Sequence, residues 1–269
     1  MTVFLQGVYE GIINGSILAL IAMGIALVWG VMNILSFSQG EFLMLGMFVS
    51  YYANRYLGLD PIVAMPLSAG ALFLLGIVIY KLIISRALRG PILSQRLITF
   101  ALSMVLVYSA QMFFGAEYKQ LVNPVIFSGT IDLGFITIAK QKLVPFILAL
   151  LVAGLLFLFL NRTRMGKAIQ ATSMDRYAAG LVGINPDRSY TIAFAIASAV
   201  AGAAGCALTY YYYMFPNVGA TFQLWGFIAV AMGGFGSVTG AFLSGLVMGL
   251  ADTLTGLYVN YASQYIRIQ

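Results

Sequence analysis

The chain has 269 residues, of which 61% are hydrophobic and only 8% charged, with mean hydropathy +0.96. Soluble domains carry about 25% charged residues, so a water-soluble core is excluded. The net charge of +6 resides in short loops between apolar runs, where it reports orientation in a membrane rather than a nucleic-acid partner.

Several runs exceed the roughly 18 apolar residues needed to cross about 30 Å of hydrocarbon. Lipid offers no partner for backbone groups, and the alternation of barrel strands is absent, so these runs predict helices. The fold class is all-α: a polytopic integral membrane protein of seven to eight segments, some interrupted by glycine. There is no histidine and one cysteine, which excludes an internal disulfide and argues against a His/Cys metal site. No paired catalytic constellation is visible, so no enzyme is implied.

In chain order, the first span is predicted over 8–29, retained rather than cleaved, with its N-terminus outside because no Lys or Arg precedes it. A Gly/Ser-punctuated break at 30–40 leads to an apolar run at 41–56, and Asp60-Pro61 turns the chain into a span at 62–84. Arg86, Arg89 and Arg96 then mark a cytoplasmic loop. A fourth span at 97–114 precedes an external loop at 115–142, where a hairpin is expected to turn near Ser128-Gly129. The fifth span, 143–160, ends in a polar island at 161–187 that carries Arg162, Arg164, Lys167 and Arg176. The run 189–214 is rich in Ala and Gly, suited to close helix packing, with Cys206 as packing. Its end, Tyr210 to Tyr213, reads as an interfacial aromatic belt or a substrate vestibule. From 223 to 257 the chain is apolar but broken at Gly233-Gly234-Phe235-Gly236-Ser237 and Gly240, and either crosses once or dips and returns. The tail beyond 257 is amphipathic.

Two features bear on function. Gly40-Glu41-Phe42-Leu43 and Gly240-Ala241-Phe242-Leu243 each follow a Gly/Ser-rich break and open an apolar helix. Paired Gly-interrupted segments point to discontinuous helices at a transport site, whose exposed N-termini suit a carboxylate. Tight helix packing is the alternative use of such glycines. Ser38, Gln39, Gly40, Glu41, Gly234, Gly236, Ser237 and Gly240 are therefore the candidate translocation path. Glu41 is the acid placed deepest, either functional or stabilised by its helix dipole. In the island, Ala168, Ala171, Asp175 and Ala178 fall at helical spacing, which predicts one small-residue face ended at Gly183-Ile184-Asn185-Pro186. A solvated amphipathic loop is the alternative.

These residues resemble a known family. The run Gly166-Lys167-Ala168-Ile169-Gln170-Ala171, Asp175, Ala178-Ala179, Leu181, Gly183-Ile184-Asn185 resembles the coupling segment of ABC permeases of the branched-chain amino-acid type. Asn33-Ile34, Gly40-Glu41-Phe42 and Met44-Leu45-Gly46, and later Gly233-Gly234, Gly236-Ser237 and Gly240-Ala241, are similar to that family as well. The resemblance spans nearly the whole chain and implies one permease domain, 1–269, in a bacterial inner membrane. It implies a second permease subunit, alike or different, two cytoplasmic ATPases and a periplasmic binding protein delivering hydrophobic amino acids. Arg164, Gly166, Lys167, Ala168, Ala171, Asp175, Ala178, Ala179 and Gly183, within a coupling segment at 161–188, would meet the ATPases. ATP and Mg would sit on those partners, since the chain has no G-x-x-x-x-G-K-[ST] motif and binds no cofactor itself. The family commonly has Ala-His-Gly where this chain has Ser38-Gln39-Gly40, which admits urea or short amides as solutes. It also tends to end with a further apolar span and a basic Pro-Gly tail, neither of which is present up to Gln269, which leaves the span count open. An ion-coupled carrier is the competing class, with only Glu41 and Asp252 to support it.

Overall fold

Helix boundaries follow from local chemistry. A computed structural model describes residues 2–121, 130–132 and 137–268. Helix α1 covers Thr2–Met32 and stops at Asn33, whose φ of 56° is left-handed. Helix α2, Gln39–Leu57, ends at Gly58 with φ 65°. Asp60 caps α3, Pro61–Ile79, by accepting from the Ile62 N–H at 3.1 Å, with Pro61 in the first turn where its missing N–H costs nothing. This helix runs on through a π-helical turn, Tyr80–Ile84, into α4, Ser85–Ala87, and then α5, Ile92–Phe114.

Strands β1, Thr130–Asp132, and β2, Thr137–Ala139, pair antiparallel with Ile131 opposite Ile138. The turn expected near Ser128-Gly129 lies outside the described residues. Helices α6 (Lys140–Arg162), α7 (Arg164–Met174), α8 (Arg176–Leu181) and α9 (Pro186–Leu208) follow. The open question at 223–257 resolves into two helices, α10 (Val218–Gly233) and α11 (Val238–Ile268), the latter absorbing the tail.

Among the described residues six helices are long and apolar enough to span a membrane, with α2 and the shorter α10 beside them. In α1 and α9, 89% and 83% of the most apolar window is buried, against 17–33% in the other four. These two are therefore the interior, and α3, α5, α6 and α11 face outward with their apolar side chains, as lipid requires. Lipid tails supply no hydrophobic drive between helices, so close backbone approach must hold them. Helix α11 accordingly lies on α1 along Gly11, Gly15, Gly245 and Gly249. A Cβ on Gly249 would come 2.1 Å from the Cα of Gly15. Cys206 is fully buried beside the Pro61 carbonyl at 3.1 Å, a packing role. The tyrosine run divides: Tyr210 is buried and donates to Asp60, whereas Tyr213 is exposed. Burial first, and then the Asp60 carboxylate, raise the Tyr210 phenol above its ordinary range, which keeps it a neutral donor.

Candidate functional site

Two sites emerge, one inside the bundle and one at its basic end. The first begins where α1 ends. Residues 33–38 are non-helical or turn, and α2 restarts inside the protein. The Gly40 N–H, an orphan of the first turn, donates to Gln223 Oε1 at 2.5 Å, while Gln223 Nε2 donates to the Ser36 carbonyl at 3.1 Å. Ser36 and Ser38 hydroxyls lie 3.1 Å apart. Ser103 of α5 donates to Glu41 Oε1 at 3.2 Å. Ser103 is the twelfth residue of α5, about 17 Å along that helix at 1.5 Å per residue. The restart of α2 thus lies near the middle of a hydrocarbon layer about 30 Å thick.

Helix α10 starts against the same point. A Cβ on Gly219 would fall 2.5 Å from Glu41 Oε2 and 2.6 Å from the Gly40 carbonyl oxygen. The Glu41 carboxylate, 1% exposed, therefore sits between two helix N-termini, both of which favour negative charge. Among the described residues, its Oε2 and both polar atoms of Gln39 are buried without a hydrogen-bond partner. Buried polar atoms are costly unless hydrogen-bonded, so these groups offer donors and acceptors suited to water or a polar solute.

Ser38, Gln39, Gly40 and Glu41 are thus gathered in one cluster. Gly234, Gly236, Ser237 and Gly240 are not with them: they form the α10–α11 turn, about 21 Å of helix away from Gly219. There Gly234 and Gly236 take φ of 91° and 87°, and the Ser237 hydroxyl caps α11 by accepting from the Gly240 N–H at 3.0 Å. The two breaks look alike in sequence but do not share a site. The companions of the first are Gln223, Gly219 and Ser103, which the sequence reading missed. Gln223 stands alone as an amide in an apolar run and was the available signal; Ser103 carries none.

The second site is the α7–α8 segment. Thr163 caps α7 by accepting from the Gly166 N–H at 2.9 Å. Asp175 does not continue the helix: with φ −154° and ψ 113° it caps α8, accepting from the N–H of Tyr177 at 2.7 Å and of Ala178 at 3.1 Å. The expected single face through Ala168, Ala171, Asp175 and Ala178 is therefore split into two helices. An aspartate competes for backbone N–H groups, and that local preference outweighed the periodicity. Gly166 is buried against the Phe159 carbonyl and Ala179 is 4% exposed, so neither presents surface. Ala168 and Ala171 are half-buried, while Arg164, Lys167, Asp175, Ala178 and Gly183 are exposed.

What the segment does present is large and apolar. Met174 is 89% exposed and Tyr177 78%, with Leu181 and Val182 beside them. The basic loop after α4 lies at the same end, because Tyr80 donates to Asp187 Oδ1 at 2.9 Å across α3 and α9. A 260 Å³ cavity joins Asn161, Gln170 and Ser173 to Gly30, Gly236 and Ser237. Trp29 and Phe235 pack there with ring centroids 4.8 Å apart. Helix α7 thus borders both the α10–α11 turn and the end of α1.

No solved structure matches the chain. The LivH permease protein of the high-affinity branched-chain amino acid transport system of Escherichia coli K12 is 32% identical over 96% of this chain and 87% of its own length. Its namesake in Salmonella typhimurium is 31% identical over the same shares. The BraD permease protein of Pseudomonas aeruginosa PAO1 is 30% identical over 93% and 85%. The family described as branched-chain amino acid transport system, permease component, matches residues 7–268, and the chain belongs to that family.

Proposed function

We propose that this chain is the permease subunit of a binding-protein-dependent ABC importer and forms half of a path for branched-chain or other hydrophobic amino acids. The observation that carries the proposal is the α7–α8 segment: two capped helices held between spans α6 and α9, with large apolar side chains turned outward. Exposed apolar clusters of this kind mark interaction sites. Family membership supports the partner's class, a cytoplasmic ATPase that holds ATP and Mg.

Two such permeases would share two ATPases and a periplasmic binding protein, within a bacterial inner membrane, with α7–α8 in the cytosol and the N-terminus outside. The basic bias around Arg86, Arg89, Arg164 and Lys167 supports that orientation. The coupling segment at 161–188 belongs to a single permease domain and catalyses nothing itself. Closure of the ATPase pair presses on Tyr177 and Leu181. The cavity walls at Gln170 and Ser173 pass that movement to the Gly236 turn and the end of α1. Beyond lies the 33–38 break, and so the Glu41 cluster.

The test is uptake into vesicles that contain the assembled system. Leucine uptake should require ATP, persist with an uncoupler, and proceed with an ATPase subunit co-purifying with this chain. Uptake abolished by the uncoupler while ATP remains would assign the chain to an ion-coupled class instead.

A further inference from the structure

The end of the bundle opposite α7 holds a 330 Å³ cavity, formed where α9 ends, α6 and α10 begin, and α1 and α11 meet. Its volume falls at the lower end of the range for small-ligand pockets, about 300–1,000 Å³. One wall carries a cation, Lys142, and another an anion, Asp252. Between them lie Tyr212, Phe222 and Trp225, with Tyr212 and Phe222 edge-to-face at 5.4 Å between centroids. Lys142 is ion-paired with Glu10 at 2.9 Å, and among the described residues the other two of the ammonium's three donors have no partner. Among the described residues no hydrogen bond or ion pair engages Asp252.

We propose that this cavity is a binding site for a zwitterionic amino acid with an apolar side chain, occupied before the solute passes inward. Lys142 receives the α-carboxylate, Asp252 the α-ammonium, and the aromatic wall the side chain. Aromatic faces also attract the ammonium. Two opposite charges flanking an aromatic wall match a zwitterion and give an uncharged amide or urea no advantage. The inference rests on the amino-acid permease reading and names a subsite within it, distinct from the Glu41 cluster.

The chain contains two tryptophans, and only Trp225 lines this cavity. Full-length protein carrying Trp29→Phe, in lipid nanodiscs, therefore reports on the site through Trp225 emission. L-Leucine should shift that emission saturably. Leucinamide and N-acetylleucine, each lacking one of the two charges, should need at least about tenfold higher concentration, and Asp252→Asn should weaken leucine binding about tenfold with an unchanged melting temperature. Silence toward leucine, isoleucine and valine at millimolar concentration overturns the site. So does a response that leucinamide and N-acetylleucine reproduce at equal concentration. Uptake by the assembled transporter is read separately. Leucine uptake with a silent Trp225 removes the subsite and leaves the permease function; a leucine-responsive Trp225 without ATP-dependent uptake keeps the subsite and removes the importer mechanism.

Discussion

At the scale of single residues, two acids do opposite work. Asp175 is exposed, and its value is local: it accepts two N–H groups of α8 and sets the angle between α7 and α8. Asparagine caps about as well as aspartate, and alanine costs about 1 kcal/mol of helix stability. Asp175→Asn should therefore keep uptake near normal, whereas Asp175→Ala should reduce it several-fold at equal expression. Equal uptake by the two variants would show that the cap is not what matters. Glu41 is buried, and its environment is long-range: α2, α5 and α10 converge on one carboxylate. Glu41→Gln preserves shape and the Ser103 contact, so the protein should fold and its uptake should fall. Glu41→Lys sets a cation against two positive helix ends, and should lower the yield of folded protein, read by size exclusion in detergent.

At the scale of elements, small residues and large ones have different tasks. The α1–α11 seam has no room for a side chain at Gly249, whereas among the described residues nothing lies within 4 Å of a Cβ at Gly256 on the same helix. Overpacking costs about 1–3 kcal/mol. Gly249→Leu should lower the thermal midpoint by several degrees and Gly256→Leu should leave it unchanged. The coupling segment obeys the reverse logic. Ala179 lies on the buried side of α8, so bulk introduced there would disturb the fold before it disturbed docking. Tyr177 and Leu181 stand free, and interface hot spots cost about 2 kcal/mol or more on truncation. Tyr177→Ala with Leu181→Ala should weaken ATPase association by at least about tenfold, measured by co-purification, with the midpoint unmoved. The sequence pattern revealed where α7–α8 lies but not which face is free. Exposed Met174, Tyr177, Leu181 and Val182 read as ordinary apolar residues until the break at Asp175 is known. The same limit applies to Glu41: its depth was legible from hydropathy, but its contact with α10, nearly 180 residues away, depends on packing that no local pattern encodes.

At the scale of the whole molecule, the two proposed sites require that the ends of the bundle face different compartments. Helix α9 separates them by about 35 Å along its 23 residues. Its start is tied to the basic loops through Tyr80 and Asp187, and its end leads into the tyrosine turn, where Lys119 pairs with Met214. The basic end is legible from sequence because charge bias needs no tertiary structure. The opposite end is not, because its cavity is assembled from five helices whose lining residues are far apart in the chain. Native Cys206 is fully buried, so a membrane-impermeant maleimide should ignore the unmodified protein. Exposed positions at either end can therefore be read one at a time. Ser173→Cys on α7 should label only after cells are permeabilised, and Tyr213→Cys beyond α9 should label in intact cells. Labelling of Ser173→Cys in intact cells would place the α7–α8 surface outside, away from any nucleotide, and ATP could then not drive this permease through that surface.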